Sequence, residues 1–174
     1  MTLCRLSWRG TLRVWALAAS AAVALAGALP ARAQVDADSR TVLGYTLTLQ
    51  RLEACAAALQ DVATWLQKHP AEAAALRSQA RGETSLAAAA ARFEREPAIK
   101  AVLDKHQLSG LDFAVAPLAL KSSYAVVMAA KHVVVMPPDR VNASAVAMIK
   151  ANPARVEQLI PAINANLRTL RSDN

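Results

Sequence analysis

The sequence predicts an all-α fold: a single small bundle of about four main helices around a central apolar helix at residues 111–131. Three observations support this prediction. The central stretch, LDFAVAPLALKSSYAVVMAAK, has apolar residues on every side of its helical wheel, which is typical of a buried helix. The segments on either side of it repeat apolar residues at steps of three and four, as one-faced helices do. The only β-like run, Val133 to Met136, has no partner strand in the sequence.

The first 33 residues have the pattern of a secretory signal peptide. Residues 1–13 carry three arginines and no acid, and residues 14–29 form an unbroken run of apolar and small residues. Small residues then occupy the positions that precede a cleavage between Ala33 and Gln34. An uncleaved membrane anchor is the alternative, but the apolar run is short for a span. We therefore expect an exported protein, periplasmic or secreted, with one all-α domain over residues 34–174.

Cleavage of residues 1–33 lowers the net charge of the chain. The full chain has 20 basic and 13 acidic residues, a net charge of +7, and four of the basic residues lie in residues 1–33. The remaining chain therefore has 16 basic and 13 acidic residues, a net charge of +3. It contains no cluster of Lys or Arg with interleaved aromatic residues, so a nucleic-acid partner is not expected. Because the central helix is interpreted as the core of the bundle, no membrane span is expected after residue 33.

A long helix is predicted over residues 41–69. Its apolar seam alternates steps of four and three, which favours near-parallel or antiparallel packing against other helices. Pro70 ends the helix because proline cannot continue the hydrogen-bond ladder. The seam consists of Tyr45, Leu49, Leu52, Ala56, Leu59, Ala63 and Leu66.

Three shorter helices are predicted before the central one. The first covers residues 71–80, and the second restarts after a glycine turn with Thr84 or Ser85 as its N-cap. Pro97 separates the second helix from the third, which covers residues 98–106, because proline is tolerated only in the first turn of a helix.

Local capping signals mark the beginnings of the last two helices. Ser109, followed three residues later by Asp112, resembles a capping box in which Asp replaces the usual Glu. This pair predicts the start of the central helix. Asn142 is the predicted N-cap of the final helix. The apolar repeat of that helix continues across Pro153 and Pro161, which predicts one kinked helix rather than two.

Cys55 is the only cysteine that remains after the signal peptide, since Cys4 lies within it. An internal disulfide is therefore excluded, although an exported chain would permit one. A lone thiol can bridge two chains, or it can serve as a small buried apolar side chain. We favour the buried interpretation, because free cysteine is among the most buried residue types.

The three histidines, His69, His106 and His132, each follow a lysine at a predicted helix end. Positive side chains at a helix C-terminus are stabilised by the helix dipole, which favours capping over metal binding. If neighbouring helices alternate in direction, the three side chains also do not meet at one end of the bundle. No metal or cofactor is predicted, because zinc, haem and iron–sulfur motifs are absent.

The most site-like group is the polar run at residues 121–124, midway along the central helix. In one interpretation, Lys121 or Tyr124 faces a cavity between helices and contacts the polar end of a ligand. In the other, Ser122 and Ser123 bond back to carbonyls of the preceding turn, and Lys121 keeps its amine in water. The second interpretation is favoured, because buried polar groups on helices usually bond locally.

Three short runs mark the starts of successive helices: EPAI at residues 96–99, LSGLDF at residues 108–113 and PDRVN at residues 138–142. In these features the C-terminal half resembles a group of small exported, all-helical bacterial proteins of uncharacterised function. The resemblance implies a periplasmic helical domain and carries no catalytic residues. The final helix departs from the pattern at Pro153 and Pro161.

These observations favour a binding or protein-interaction role. One hypothesis is a site for a small apolar ligand beside the central helix, with Lys121 or Tyr124 at its polar end. The other is a protein–protein contact, including a homodimer, through apolar surface on residues 71–91 or on the last helix. An enzyme is disfavoured, because no nucleophile and base stand at a workable spacing.

Overall fold

The computed structural model describes residues 34–130 and 140–171. The chain divides into two compact units, Met1–Ala37 and Asp38–Asn174, and only residues 34–37 of the first are described. The described residues form helices joined by short connections, without a strand among them, so the all-α prediction is confirmed. The helices are α1 (34–44), α2 (Leu49–Lys68), α3 (Pro70–Ala80), α4 (Leu86–Arg95), α5 (Pro97–Lys105), α6 (Gly110–Ala130), α7 (Ala143–Ala151) and α8 (Pro153–Arg171).

The hydrophobic core is shared between α2 and α6. Leu52, Cys55 and Leu59 of α2 are completely buried, as are Val115 and Ala116 of α6. The predicted central helix, α6, packs against α2, α4, α5 and α7, while α8 packs mainly along α2. Alanine occupies many of the contact positions, so the helices approach one another closely.

The helix predicted over residues 41–69 is wrong in one respect, because the chain breaks at residues 45–48. The Asn142 side chain donates hydrogen bonds to the carbonyls of Val42 (2.7 Å) and Tyr45 (2.8 Å). Thr48 then caps α2 by accepting from the Arg51 amide at 3.2 Å. A side chain from another part of the chain thus satisfies carbonyls that a continuous helix would have used, so the interruption leaves fewer backbone groups unpaired.

The predicted beginnings of α4, α5 and α6 are confirmed. Ser85 is the N-cap of α4 and accepts from the Ala88 amide, and Pro97 stands in the first turn of α5. At α6, the Asp112 amide donates to the Ser109 hydroxyl at 3.0 Å, and the Ser109 amide donates to the Asp112 carboxylate at 3.1 Å. This reciprocal pair is the predicted capping box.

The interpretation of α6 as buried on every side is wrong, because Leu111 is 41% exposed and Lys121 and Ser122 are also exposed. Buried residues extend from Gly110 to Ser123, whereas Val126, Val127 and Met128 beyond them are only partly buried. By length and composition, α6 is long and apolar enough to cross a membrane, and 39% of its most apolar window is buried inside the fold. Residues 133–136 lie outside the described residues.

The prediction of one kinked helix at the end of the chain is wrong, because α7 ends at Ala151 and α8 begins at Pro153. Asn152 between them leaves the helical conformation, with φ −134° and ψ 49°, as the residue before a proline tends to do. Its side chain donates to the Met148 carbonyl at 3.0 Å and thereby satisfies the end of α7. The apolar repeat continues across the break because the same core lies beneath both helices.

Candidate functional site

A groove of about 640 Å³ lies beside the central helix, between α4, α6 and α8. Its polar lining residues are Lys121, Tyr124, Asn164, Arg168 and Arg171. Its apolar lining residues are Leu86, Ala89, Phe93, Phe113, Ala114, Pro117, Leu118, Leu120, Ile160, Ile163 and Leu167. The ligand hypothesis requires a cavity between helices at this place, whereas the groove found there is open to solvent, with Lys121, Arg168 and Arg171 exposed.

Packing between α4 and α6 builds one wall of the groove. The Phe93 and Phe113 rings meet edge to face, with centroids 5.0 Å apart and planes at 89°, a favoured geometry for aromatic pairs. The Gly110 amide donates to the Glu94 carboxylate, which ties the first turn of α6 to α4. These contacts hold the aromatic wall in place on both helices.

Lys121 and Tyr124 are three residues apart on α6 and both line the groove. Residues at this spacing share one side of a helix. Lys121 is exposed and Tyr124 is half-buried. Within the described part of the chain, the Lys121 amine has no ion-pair partner and the Tyr124 hydroxyl has no hydrogen-bond partner. Both polar groups are therefore available to a bound molecule.

Arg168 and Arg171 complete the polar part of the groove, and the sequence interpretation missed them. They stand in the last turn of α8, where basic residues are ordinary because they interact with the helix dipole. Leu167 and Ile163 on the same helix contribute apolar wall to the groove. The only sequence signal was that Arg171 follows Leu167 of the apolar stripe by four residues and Arg168 by three.

Several cations elsewhere in the described residues are neutralised by carboxylates. Arg92 pairs with Glu83 at 2.9 Å, and Arg155 pairs with Glu53 at 2.6 Å. Lys105 pairs with Asp61 at 2.8 Å. Lys121, Arg168 and Arg171 have no such partner among residues 34–130 and 140–171. The groove therefore brings together three cations without a carboxylate partner in the described residues, while others of this kind, such as Lys68, Arg95 and Lys150, lie outside it.

The serines beside Lys121 behave differently from each other. The Ser122 hydroxyl donates to the Ala119 carbonyl at 3.2 Å, so the predicted local bond exists. Ser123 is 1% exposed, and its hydroxyl has no partner in the described structure, so its predicted local bond is wrong. It faces the core rather than the groove, and its lost hydrogen bond is a destabilising feature of the packing.

A second groove, of about 670 Å³, lies between α3, α4 and the end of α8. It shares Leu86, Ala89, Phe93 and Arg171 with the first, so the two grooves adjoin across α4. Its lining is more mixed in charge and includes the partly buried Arg92–Glu83 ion pair. It therefore lacks the one-sided charge of the first groove.

The histidines in the described structure have structural partners. His69 follows α2, where its Nδ1 lies 2.8 Å from the Trp65 carbonyl and its ring stacks on the Trp65 ring at 4.9 Å. His106 follows α5, and its Nε2 lies 2.9 Å from the Asp61 carboxylate. Among the described residues, no three metal-ligating side chains come together. His132 lies outside them.

Asp112 is the centre of a polar network at the start of α6. Its carboxylate accepts from the Tyr45 hydroxyl at 2.7 Å and from Ser109, and it lies 3.7 Å from the Arg51 guanidinium. Burial by itself raises the pKa of Asp112, but the hydrogen bonds from Ser109 and Tyr45 and the charge of Arg51 outweigh it, so the net pKa is lowered. Burial and the bond to Asp112 raise the pKa of Tyr45 above its ordinary value. The network has every group paired, so it stabilises the fold and is not a reactive site.

Cys55 lies in the core of α2 and is completely buried. Burial, with a smaller contribution from the Asp112 carboxylate, raises the pKa of the Cys55 thiol to about 12. A neutral, inaccessible thiol is a poor nucleophile. A bridge to another chain through Cys55 would require the core to open.

The cleavage pair predicted at Ala33 and Gln34 stands at the edge of the described residues, and Ala33 lies outside them. Comparison with protein-family models, curated proteins and solved structures gives no match to this chain. The resemblance to small exported helical proteins therefore stays a prediction, and the groove geometry is the basis for a functional argument.

Proposed function

We propose that this protein is an exported binding protein that takes a small, largely apolar molecule into the groove beside α6. The observation that carries the proposal is the groove itself, in which apolar residues adjoin polar groups that have no partner among the described residues. Its volume of about 640 Å³ falls in the range of small-molecule sites, about 300–1,000 Å³. Lys121 and Tyr124 would contact the polar end of the ligand.

Binding fits the lining better than catalysis does. The groove residues within the described structure include no Asp, Glu, His or Cys. They therefore offer no carboxylate, imidazole or thiolate to activate a nucleophile. The frame of the proposed site is a bundle with α2, α4, α6 and α8 as its four main helices.

Export is the second part of the proposal. A positive segment, an apolar run and small residues before Gln34 support cleavage of residues 1–33 and release into the periplasm. Expression of the full chain in a Gram-negative host, followed by N-terminal sequencing of the periplasmic form, tests this. Sequencing should begin at Gln34, and retention of residues 1–33 in the membrane fraction would contradict it.

The binding test uses protein purified from the periplasm without denaturation. Native mass spectrometry should show an added mass that denaturing conditions remove, and the neutral dye Nile red should bind and fluoresce. Ala89→Phe, which fills the groove wall, should weaken dye binding by about tenfold, since a bulky side chain takes the ligand's volume.

Ala87→Phe is the matched control for that variant, because Ala87 is exposed on the same helix and does not line the groove. Circular dichroism should show that both variants remain folded. Dye binding that is equal in the two variants would place the site elsewhere. Absence of any bound apolar molecule would refute the proposed function.

A protein-interaction role, including a homodimer, is the second candidate. The partly buried Val126, Val127 and Met128 at the end of α6 favour it, since apolar surface of this kind can be covered by a second chain. Sedimentation analysis over a wide concentration range tests it. A dimer that Val126→Asp dissociates supports this candidate, and a monomer at all concentrations rejects the homodimer.

A further inference from the structure

We infer that the polar end of the ligand is an anion, so that the groove takes an amphiphile with an alkyl tail and a carboxylate or phosphate head. The inference rests on the proposed function and names its ligand class. It comes from the sign of the charges around the groove and from the residues that do not neutralise them.

The groove lining is one-sided in charge. Lys121 comes from α6, and Arg168 and Arg171 come from α8, while the described lining residues include no carboxylate. The three cations repel one another, and nothing in the described structure offsets that repulsion by an ion pair. A bound anion would do so. A neutral head would leave the repulsion in place, and a cationic head would add to it.

The same side chains also match the geometry of an oxyanion. Arginine presents a planar set of donors that can bind a carboxylate or a phosphate through two parallel hydrogen bonds. The Lys121 ammonium and the unpartnered Tyr124 hydroxyl supply further donors. These groups are mostly exposed, so each contributes little alone and the preference depends on several acting together.

The remainder of the groove suits a hydrocarbon tail. Ile160, Ile163 and Leu167 of α8 stand before the two arginines on the same helix, and Pro117 and Leu120 line the α6 side. From Ile160 to Arg171 the helix rises about 16 Å, which sets the length of a ligand that uses both parts. An apolar wall that leads into a group of cations is the pattern expected for a fatty acid or an alkyl phosphate.

The arginines also have a purely structural explanation. Cations in the last turn of a helix stabilise it through the helix dipole, and Arg168 and Arg171 occupy that turn of α8. That role predicts a lower melting temperature on substitution and no change in ligand preference. The anion site predicts a change in the preference itself, so selectivity is the decisive readout.

The experiment measures displacement of Nile red from the periplasmic protein by four amphiphiles below their micelle concentrations. These are dodecanoate, dodecyl phosphate, dodecanol and dodecyltrimethylammonium. Both anions should bind about tenfold or more tightly than dodecanol, and the cation should bind most weakly. The tighter of the two anions identifies whether the preferred head is a carboxylate, as in a free fatty acid, or a phosphate, as in a lipid head group.

Two variants and a change of salt concentration then test the residues. The combined Lys121→Gln, Arg168→Gln, Arg171→Gln variant should bring the anions to within about twofold of dodecanol when all are measured on that same variant. Lys150→Gln, an exposed cation on α7 outside the groove, is the control and should keep the full preference. Raising the salt from about 50 to about 500 mM should reduce the preference, because the cations are exposed.

Two results would overturn the inference. Equal binding of anionic and neutral amphiphiles by the unmodified protein would remove the anion preference while leaving the proposed function intact. A preference that survives in the triple variant would place the anion site elsewhere. Failure of Nile red and all four amphiphiles to bind would instead refute the proposed function itself.

Discussion

Gly110 occupies a position where the fold leaves no room for a side chain. A Cβ atom there would overlap the Ala90 carbonyl oxygen and press on the Glu94 side chain. We therefore expect Gly110→Ala to lower the free energy of unfolding by about 1–3 kcal/mol, because α4 and α6 must move apart. Chemical denaturation followed by circular dichroism measures this change.

Gly82 is the matched control, since a Cβ added there would meet nothing within 4 Å and its backbone needs no positive φ. Gly82→Ala should change stability by no more than about 0.5 kcal/mol. Equal effects of the two substitutions would contradict the close helix contact at Gly110.

Cys55 should react only when the protein unfolds. Its thiol is completely buried and its pKa is raised to about 12, so almost no accessible thiolate exists near neutral pH. Iodoacetamide at pH 8 should therefore label Cys55 at less than about a tenth of the rate measured in denaturant. Peptide mapping by mass spectrometry gives the rate at this residue, and rapid labelling of the native protein would contradict its burial.

Hydrogen bonds of single residues could be predicted from the sequence where both partners lie within one helical turn. Ser85, Ser109 and Asn142 were predicted as caps because each is followed at once by the helix it serves. Lys121 and Tyr124 were found because they are polar residues in an apolar helix. Ser123 was misjudged because a bond to the preceding turn depends on the side-chain rotamer, which the sequence does not specify.

The breaks between helices depend on contacts that a local pattern does not contain. The interruption at residues 45–48 is supported by Asn142, about a hundred residues further along the chain. The break at Asn152 had a local signal in the following Pro153, but the continuous apolar repeat outweighed it in the prediction. Apolar periodicity reports the buried face and does not distinguish one helix from two helices on the same core.

We therefore expect Asn142 to contribute more to the free energy of unfolding than an ordinary helix cap does. It is 2% exposed, donates to two carbonyls, and accepts from the Ala145 amide at 2.9 Å. We expect Asn142→Ala to lower the free energy of unfolding by about 2–4 kcal/mol, since it removes a cap and two further hydrogen bonds of a buried side chain. Urea unfolding measures the change.

Ser85→Ala provides the comparison, because Ser85 caps α4 with one bond to the Ala88 amide and should cost only about 1 kcal/mol. Asn142→Asp separates the two roles of Asn142, because it keeps the capping oxygen and removes the donors. It should remain clearly destabilised. A loss in Asn142→Ala no larger than in Ser85→Ala would show that the bonds to Val42 and Tyr45 contribute little.

At the scale of the whole molecule, stability should fall in acid. Hydrogen bonds from Lys105 and His106 lower the pKa of Asp61, and Asp112 is also lowered on balance by its own partners. A carboxyl whose pKa is lower in the folded state stabilises the protein above its unfolded pKa, near 3.8, and this contribution is lost as the pH falls through the folded value.

Urea unfolding between about pH 7 and pH 2 checks this expectation. Asp112→Asn should lower the free energy of unfolding at pH 7 by about 1.5–3 kcal/mol, because it removes the hydrogen bonds to the charged carboxylate. The free energy of unfolding should then also decrease less steeply as the pH falls, since these bonds are absent at every pH. Asp61→Asn should have a smaller effect, because Asp61 is more exposed to solvent. The same loss of stability at low pH in Asp112→Asn and in the unmodified protein would show that the Asp112 carboxyl does not cause that loss.

The sequence predicted the groove residues of α6 but not those of α8. The α6 half of the polar lining was predictable, because Lys121 and Tyr124 interrupt an apolar sequence. The α8 half was not, since Arg168 and Arg171 look like ordinary end-of-helix cations until packing brings α8 beside α4 and α6. The charge character of the groove therefore emerges only at the scale of the assembled bundle.

We expect the hydrogen bonds from Asn142 to Val42 and Tyr45 to form late in folding. A ribosome produces residues 34–68 well before Asn142, and until then those carbonyls lack their side-chain donors. The apolar seam of residues 41–66 then favours one uninterrupted helix in the nascent chain. We therefore expect the break at residues 45–48 to form only after the last third of the protein has docked.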